Sequence, residues 1–172
     1  MEELRDKIYT WSLNLIKKGY ELEGIFLLIA TWNFAYFRYH MKDFPLNEFE
    51  RSLKECDFDY FKDKDFSNAS LDNTETKSKI IEIYQKLSDF KGIKWVGATK
   101  IMHLKCPNFF IMWDGKIIKH YKAKTSPEGY FNFMKLIQNL YKKGSFKDLD
   151  KNMTIPRAID FYNMINFSTG DK

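Results

Sequence analysis

Cysteine, arginine and long apolar runs are all scarce in this sequence of 172 residues. Two cysteines, Cys56 and Cys106, cannot build a disulfide scaffold and fit a reducing compartment. The longest apolar run, residues 24–30, is far shorter than the roughly 20 residues of a membrane-spanning helix. The first residues are charged and lead into no signal-type stretch. We therefore expect a cytoplasmic protein without a membrane partner.

Proline and glycine are also few, at four and eight residues, and this scarcity favours helices over turn-rich folds. Apolar residues make up 44% of the chain and aromatic residues 17%, which is ample for a packed core and excludes global disorder. The length favours one domain over 1–172, and it allows two lobes with a cleft between them. The chain has no Walker loop, no GxGxxG motif and no Ser or Cys triad signature, and we expect no cofactor.

Helical spacing of apolar residues predicts an all-α fold, a compact bundle of seven to nine helices with little or no sheet. Residues 3–18 place Leu4, Ile8, Trp11 and Leu15 on one helix face. Residues 21–40 are apolar nearly all round, which is typical of a central, buried helix.

Several helix starts can be predicted from capping residues. A short helix should follow Pro45, and one of residues 72–74 should cap a helix that ends near Phe90. After a brief extended apolar piece, NFFIMW, Asp114 should cap GKIIKHY. Ser126 with Pro127 should begin another helix, and a last one should start between Thr154 and Pro156.

Positive charge is concentrated in one stretch of the chain. Residues 91–147 contain twelve Lys and two acids, a local net charge of +10, whereas the other 115 residues sum to −5. Clustered cations suit a nucleic-acid surface, because phosphates bind to them. A solvated Lys-rich surface is the alternative interpretation. The excess of Lys over Arg is typical of an AT-rich prokaryotic genome.

Residues 91–121 contain the most informative motif. Ile93-Lys94-Trp95-Val96-Gly97-Ala98-Thr99-Lys100 follows one predicted helix and opens the next, with a hairpin at 91–97, and Trp113-Asp114-Gly115-Lys116-Ile117 opens a third. Helix N-termini joined in this way can hold a DNA phosphate without reading the base sequence. This region resembles the helix-hairpin-helix DNA glycosylase superfamily, through a group of small uncharacterised prokaryotic proteins to which residues 75–165 are similar.

The resemblance implies a DNA-glycosylase-like fold, duplex DNA as a partner bound without sequence specificity, and roles for several residues. Lys94, Gly97, Thr99 and Lys116 would contact the DNA backbone. Asp114 would be the catalytic carboxylate, which stabilises positive charge on the sugar or activates water or an amine. Asp114 as a helix cap and nothing more is the alternative.

Lys100 is the second catalytic candidate, because an amine with a lowered pKa can attack the sugar. In the resembled enzymes that attack sugar in this way, the lysine lies two residues after the second hairpin glycine. Here that position holds Thr99, and Trp95 replaces the first glycine. We therefore expect Lys100 to contact phosphate or solvent, and an active enzyme to be monofunctional rather than a lyase.

Three further residues would form the base pocket, because a flipped base is held by stacking and by hydrogen bonds to its edge. They are Trp32, Asn33 and Trp113, for which core packing is the alternative role. His103 and Cys106 are too few for a metal site, so we expect none. Asp160 and Tyr162 should be structural.

Three hypotheses about function follow. The first is a DNA glycosylase that removes damaged bases in DNA repair. The second is a helical module with the same fold that binds nucleic acid without catalysis. The third is a protein-interaction domain in which the lysine excess is only compositional.

Overall fold

The computed structural model describes residues 2–167, and in this part of the chain all regular structure is helical. Nine α-helices are present there: α1 Glu2–Lys17, α2 Glu21–Trp32, α3 Phe34–Phe37, α4 Leu46–Lys54, α5 Thr74–Ser88, α6 Lys94–Lys105, α7 Gly115–Tyr121, α8 Pro127–Lys142 and α9 Ile155–Phe167. A single 3-10 turn, Asp59–Phe61, lies in the loop between α4 and α5. The prediction of an all-α bundle is confirmed.

The predicted helix caps are also confirmed. Asn73 caps α5 by accepting from the Thr76 amide, and Ser126 caps α8, with Pro127 in its first turn. Asp114 caps α7. These starts were predictable because a cap depends on residues that are neighbours in the sequence.

Helix α6 is at the centre of the bundle. It packs against α5, α2 and α1, and α5 packs in turn against α8. Every residue from Gly97 to Leu104 is buried, so α6 has no solvent face in that stretch. The apolar segment after it, residues 109–113, is also buried and contains no helix, as predicted.

The predicted helix over 21–40 is wrong in its second half. It breaks at Asn33, which has φ −124 and ψ 20, and the short α3 follows. Helix α2 buries one face, formed by Gly24, Ile25, Leu28 and Ile29. Beyond the break Phe34 and Tyr36 are exposed, so an apolar sequence here does not mean burial.

Helix α1 also differs from its predicted face. Leu4 and Trp11 are about half exposed, whereas Ser12 is fully buried. A Cβ placed on Gly24 of α2 would lie 2.6 Å from the Ser12 carbonyl oxygen, which shows how closely α1 and α2 approach. None of the helices described by the model is long and apolar enough to cross a bilayer.

The connection between α5 and α6 is shorter than the predicted hairpin at 91–97. It spans residues 89–93, and residues 94–97 already belong to α6. The left-handed backbone falls on Lys94, with φ 52, rather than on Trp95, where the resemblance places a glycine. Lys94 adopts this conformation in spite of its Cβ, and α6 begins directly there.

Candidate functional site

Asp114 lies at the first turn of α7 and uses one of its two carboxylate oxygens as the cap. Oδ1 accepts from the amides of Lys116 and Ile117, both at 2.9 Å. Both cap bonds end on the same oxygen, so capping does not consume Oδ2. A structural and a chemical role are therefore compatible in this one residue.

The four residues predicted to contact a DNA backbone divide into two pairs. Lys94 and Lys116 are exposed, whereas Gly97 and Thr99 are buried inside α6. A Cβ on Gly97 would lie 3.3 Å from Asn33 Nδ2 and closer still to Ile93, so this glycine allows close packing. The Thr99 hydroxyl donates to the Val96 carbonyl oxygen. Only the two lysines face a surface that an external phosphate can reach.

The three predicted base-pocket residues have different neighbours in the structure. Trp113 is 1% exposed and packs with Tyr84, Tyr130 and Phe133 in the aromatic core. Trp32 and Asn33 lie at the end of α2, where Asn33 Nδ2 donates to the Ile93 carbonyl oxygen at 3.4 Å. The core position of Trp113 fits the alternative role.

Lys100 is the least expected feature of the site, because its side chain is only 6% exposed. The prediction that it contacts solvent is wrong: α6 is buried on all sides here, and a residue at the flank of its core face still points inward. Lys100 Nζ donates to the Trp32 carbonyl oxygen at 2.6 Å. Burial lowers the pKa of Lys100 to about 8, although the nearby Asp160 and Asp114 carboxylates act to raise it.

Asp160 and Arg157 of α9 form a buried ion pair near Lys100, and together with it they belong to a polar cluster. The Arg157 guanidinium binds Asp160 through Nη1 and Asp6 of α1 through Nη2, the latter at 2.6 Å. Burial raises the pKa of Asp160, whereas the charges of Arg157, Arg5 and Lys100 lower it. Asp160, expected to be structural, is therefore a buried carboxylate beside a buried amine.

Trp32 is surrounded by the cations of the cluster. The guanidinium carbons of Arg5 and Arg157 lie 4.6 and 5.0 Å from its ring centroid, and Lys100 Nζ lies 6.0 Å away. The face of an aromatic ring attracts such charges. The Trp32 Nε1 atom is itself buried and has no hydrogen-bond partner among the described residues, and the same holds for Asn163 Nδ2 and Ser12 Oγ.

Tyr9 and His103 complete the cluster on the side of α1. His103 Nδ1 lies 2.8 Å from the Phe110 carbonyl oxygen and Nε2 lies 2.7 Å from the Tyr9 hydroxyl. A carbonyl oxygen only accepts, so Nδ1 carries the proton and Nε2 accepts from Tyr9. Burial lowers the pKa of His103 to about 4 and raises that of Tyr9. Both side chains are therefore neutral at pH 7.

A surface cleft of about 380 Å³ lies where α2 and α3 meet the start of α6. Its lining consists of Asn33, Tyr36, Ile93, Lys94, Trp95 and Val96. Trp32, whose carbonyl oxygen binds Lys100, directly precedes Asn33 in the chain. The cleft and the buried amine therefore adjoin the same helix break.

The sequence contained one unused signal for this cluster. Arginine occurs only four times, and two of those residues, Arg5 and Arg157, meet at Trp32. Arginine in a chain that otherwise uses lysine marks positions where a planar, always charged fork is needed. His103 and Tyr9 gave no comparable signal, since these two hydrogen-bonded residues lie 94 positions apart in sequence.

Comparison of the chain with family models, with curated proteins and with solved structures finds no match. Within residues 2–167, no group of three or more His, Cys, Asp or Glu side chains is arranged to hold a metal ion.

Proposed function

We propose that this protein is a DNA-glycosylase-like base-excision protein that acts on damaged bases, with Lys100 and Asp114 as its catalytic residues. One observation carries the proposal: the amine of Lys100 is buried in α6, between the start of the helix and a polar cluster that includes carboxylates. The resemblance of residues 91–121 to helix-hairpin-helix glycosylases supports DNA as the substrate.

In the proposed reaction the unprotonated Lys100 Nζ attacks C1′ of the damaged nucleotide. The C1′–N bond breaks, and the base leaves with its electron pair and takes up a proton. The amine, now bonded to C1′, loses one proton; the C1′–O4′ bond then breaks, O4′ takes up a proton to become a hydroxyl, and a protonated imine joins Lys100 to the ring-opened sugar. With a pKa of about 8, roughly a tenth of Lys100 is unprotonated at pH 7. Asp114 Oδ2 stabilises the positive charge that develops on the sugar.

This route differs from the monofunctional enzyme that Thr99, at the position of the family's lysine, favours. The amine would instead come from Lys100, one residue further on, whose pKa is lowered by burial. The route also requires a conformational change. Lys100 reaches a substrate only if its hydrogen bond to the Trp32 carbonyl oxygen breaks and the end of α2 moves away from α6.

The test uses duplexes that each contain one damaged base, such as an oxidised purine, an alkylated purine or uracil, at excess protein. We expect base release, and a covalent adduct on borohydride reduction that is lost in Lys100→Gln. Asp114→Asn should abolish base release with the melting temperature nearly unchanged, because Asn retains the cap. Lys119→Gln, on the exposed face of α7, is the matched control and should retain activity.

Each other outcome has a defined meaning. Base release without an adduct, retained in Lys100→Gln but lost in Asp114→Asn, would make the enzyme monofunctional and Lys100 structural. No base release from any duplex, with Asp114→Asn indistinguishable from the parent protein, would contradict the proposed function.

A binding module without catalysis is the second candidate, and the distribution of lysines favours it. Nine of the twelve lysines in residues 91–147 are exposed, whereas Lys100, Lys105 and Lys135 are not. Duplex binding that weakens steeply with salt, without base release, would support this candidate. Absent or salt-independent binding would instead favour a protein-interaction domain.

A further inference from the structure

We infer that the surface formed by Phe34, Tyr36, Arg38 and Tyr39, here called the aromatic patch, binds unpaired nucleobases of a single-stranded nucleic acid. The inference deepens the proposed function and rests on it for the choice of nucleic acid as partner. It concerns α3 and the turn after it, a different part of the protein from the buried Lys100.

The patch collects exposed aromatic rings that are rare elsewhere on this protein. Five aromatic side chains are exposed within residues 2–167, and three of them, Phe34, Tyr36 and Tyr39, lie within six residues of one another in sequence. Phe34 is 50% exposed and Tyr39 is 70% exposed. Such rings are costly to hydrate, and a cluster of them marks an interaction site.

Arg38 lies between these rings. Its guanidinium carbon is 4.6 Å from the Tyr39 ring centroid and 5.5 Å from that of Phe34, and its Nη2 donates to the Tyr39 hydroxyl oxygen at 2.6 Å. Among the described residues no ion pair includes Arg38. Because aromatic rings hold the Arg38 guanidinium and no carboxylate within residues 2–167 neutralises it, the guanidinium can bind a phosphate or stack on a base.

The patch continues into the cleft at the start of α6. Tyr36 lines the cleft together with Trp95, Asn33 and Lys94, and Lys94 is its only charged lining residue. The cleft therefore offers two aromatic side chains, an amide for a base edge and one cation for a phosphate. Base stacking on aromatic rings combined with backbone cations is how proteins bind single strands without reading sequence.

The surroundings limit where such a strand can lie. A second groove, beside Phe44, is lined by three acids, Asp43, Glu48 and Asp89, and by one lysine, Lys91, so its acidic excess repels phosphate. A strand is therefore expected to follow α3 towards Lys94 rather than to enter that groove. The apolar groove formed by Phe26, Phe37 and Met41 has no such cations and offers nothing that recognises a strand.

The experiment compares fluorescein-labelled oligothymidine of fifteen nucleotides with an oligomer of equal length in which every site is a tetrahydrofuran abasic analogue, which has no aldehyde for an amine to attack. Both probes have the same phosphates, so a difference in their affinity, measured by fluorescence anisotropy at low salt, reports on base stacking. We expect the abasic oligomer to bind at least tenfold more weakly. Tyr39→Ala and Phe34→Ala should each weaken oligothymidine binding by roughly 5- to 150-fold, as expected for the loss of one stacked base.

Tyr20→Ala and Trp11→Ala are the matched controls, because each removes a half-exposed aromatic side chain far along the chain from the patch. They should leave the affinity unchanged, and so should Tyr39→Phe. Equal binding of the two oligomers, or equal losses in patch and control variants, would overturn the inference. A dimer in sedimentation that Tyr39→Ala dissociates would assign the patch to a second copy of the chain instead. Base-release assays on the same variants keep this result separate from the proposed chemistry, since stacking can occur with no base released.

Discussion

Two tryptophans of this protein, the buried Trp113 and the partly buried Trp32, have opposite surroundings. Trp113 lies among aromatic rings, and its Nε1 donates to the Trp95 carbonyl oxygen at 2.9 Å. The tyrosine hydroxyls around it are also paired, Tyr84 with the Thr125 carbonyl oxygen and Tyr130 with that of Ile111. Trp32 lies among three cations, and its Nε1 has no partner.

This difference separates a core whose polar atoms are paired from a cluster in which charges lie around an unpaired donor. A core with every polar atom paired gains from burial without a penalty. A buried cluster of charges with unpaired donors costs free energy, and proteins retain such clusters mostly where they bind or react. The contrast can be tested by changing one region at a time.

The largest expected effect is in the aromatic core. Trp113→Ala removes a fully buried ring and leaves a cavity among Tyr84, Tyr130 and Phe133, so it should lower the free energy of unfolding by about 3–5 kcal/mol. Urea denaturation at pH 7 measures this. Trp11→Ala, at a half-exposed position on α1, is the control and should cost far less. A loss below about 1 kcal/mol for Trp113→Ala would mean that this core does not stabilise the fold as described.

The second prediction concerns pH and the polar cluster. The pKa of His103 is about 4 in the folded protein, against 6.5 for an unperturbed histidine. Between pH 6.5 and about 4, His103 therefore binds a proton in the unfolded chain but not in the folded protein. His103 contributes stability fully above pH 6.5, and this contribution is lost as pH falls towards 4, at up to about 1.4 kcal/mol per pH unit.

Urea denaturation at several pH values between 4 and 7 measures the slope. His103→Gln keeps a donor and an acceptor but does not titrate, so its slope should be shallower by about one proton. Parallel curves for parent and variant would show that His103 is protonated as readily in the folded protein as in the unfolded chain.

The smallest expected effect distinguishes the two indoles themselves. Trp113→Phe removes the indole hydrogen bond to the Trp95 carbonyl oxygen, which should cost about 0.5–1.5 kcal/mol. Trp32→Phe removes an N–H that has no partner, and its cost should therefore be the smaller of the two. Chemical denaturation of both variants under identical conditions gives the comparison. Equal losses would mean that Trp32 Nε1 is in fact paired, for example with a water molecule.

The sequence predicted those parts of the fold that depend on neighbouring residues. Asn73, Asp114 and Ser126 were identifiable as caps because a cap and the amides it binds are separated by two or three positions. A connection between two helices was predicted in this region, but the predicted segment of 91–97 extends into α6. The positive φ at Lys94 could not be foreseen, because lysine does not favour that conformation.

The site was less predictable, because its residues come together only in three dimensions. The sequence predicts Lys100 at the surface, because lysine is usually exposed. The structure buries it, because α6 is enclosed on all sides at this point. The spacing of Arg157 and Asp160 shows that they share a helix face, but nothing in it reveals that Asp6 binds the same guanidinium. For Phe34 and Tyr36 the error is the reverse. Their apolar sequence predicts burial, but after the helix break at Asn33 both side chains are exposed.

The Arg157 guanidinium joins α1 to α9, and this tie has a consequence for how the protein assembles. Asp6 and Arg157 are 151 residues apart in sequence, so their contact closes almost the whole described chain into one loop. Closing a loop of this length costs entropy that only a nearly complete fold can repay. Helix α1 is synthesised early, but Asp6 cannot pair with Arg157 until α9 has also been synthesised. We therefore expect the polar cluster around Arg157 to form late in folding, once α9 has been made.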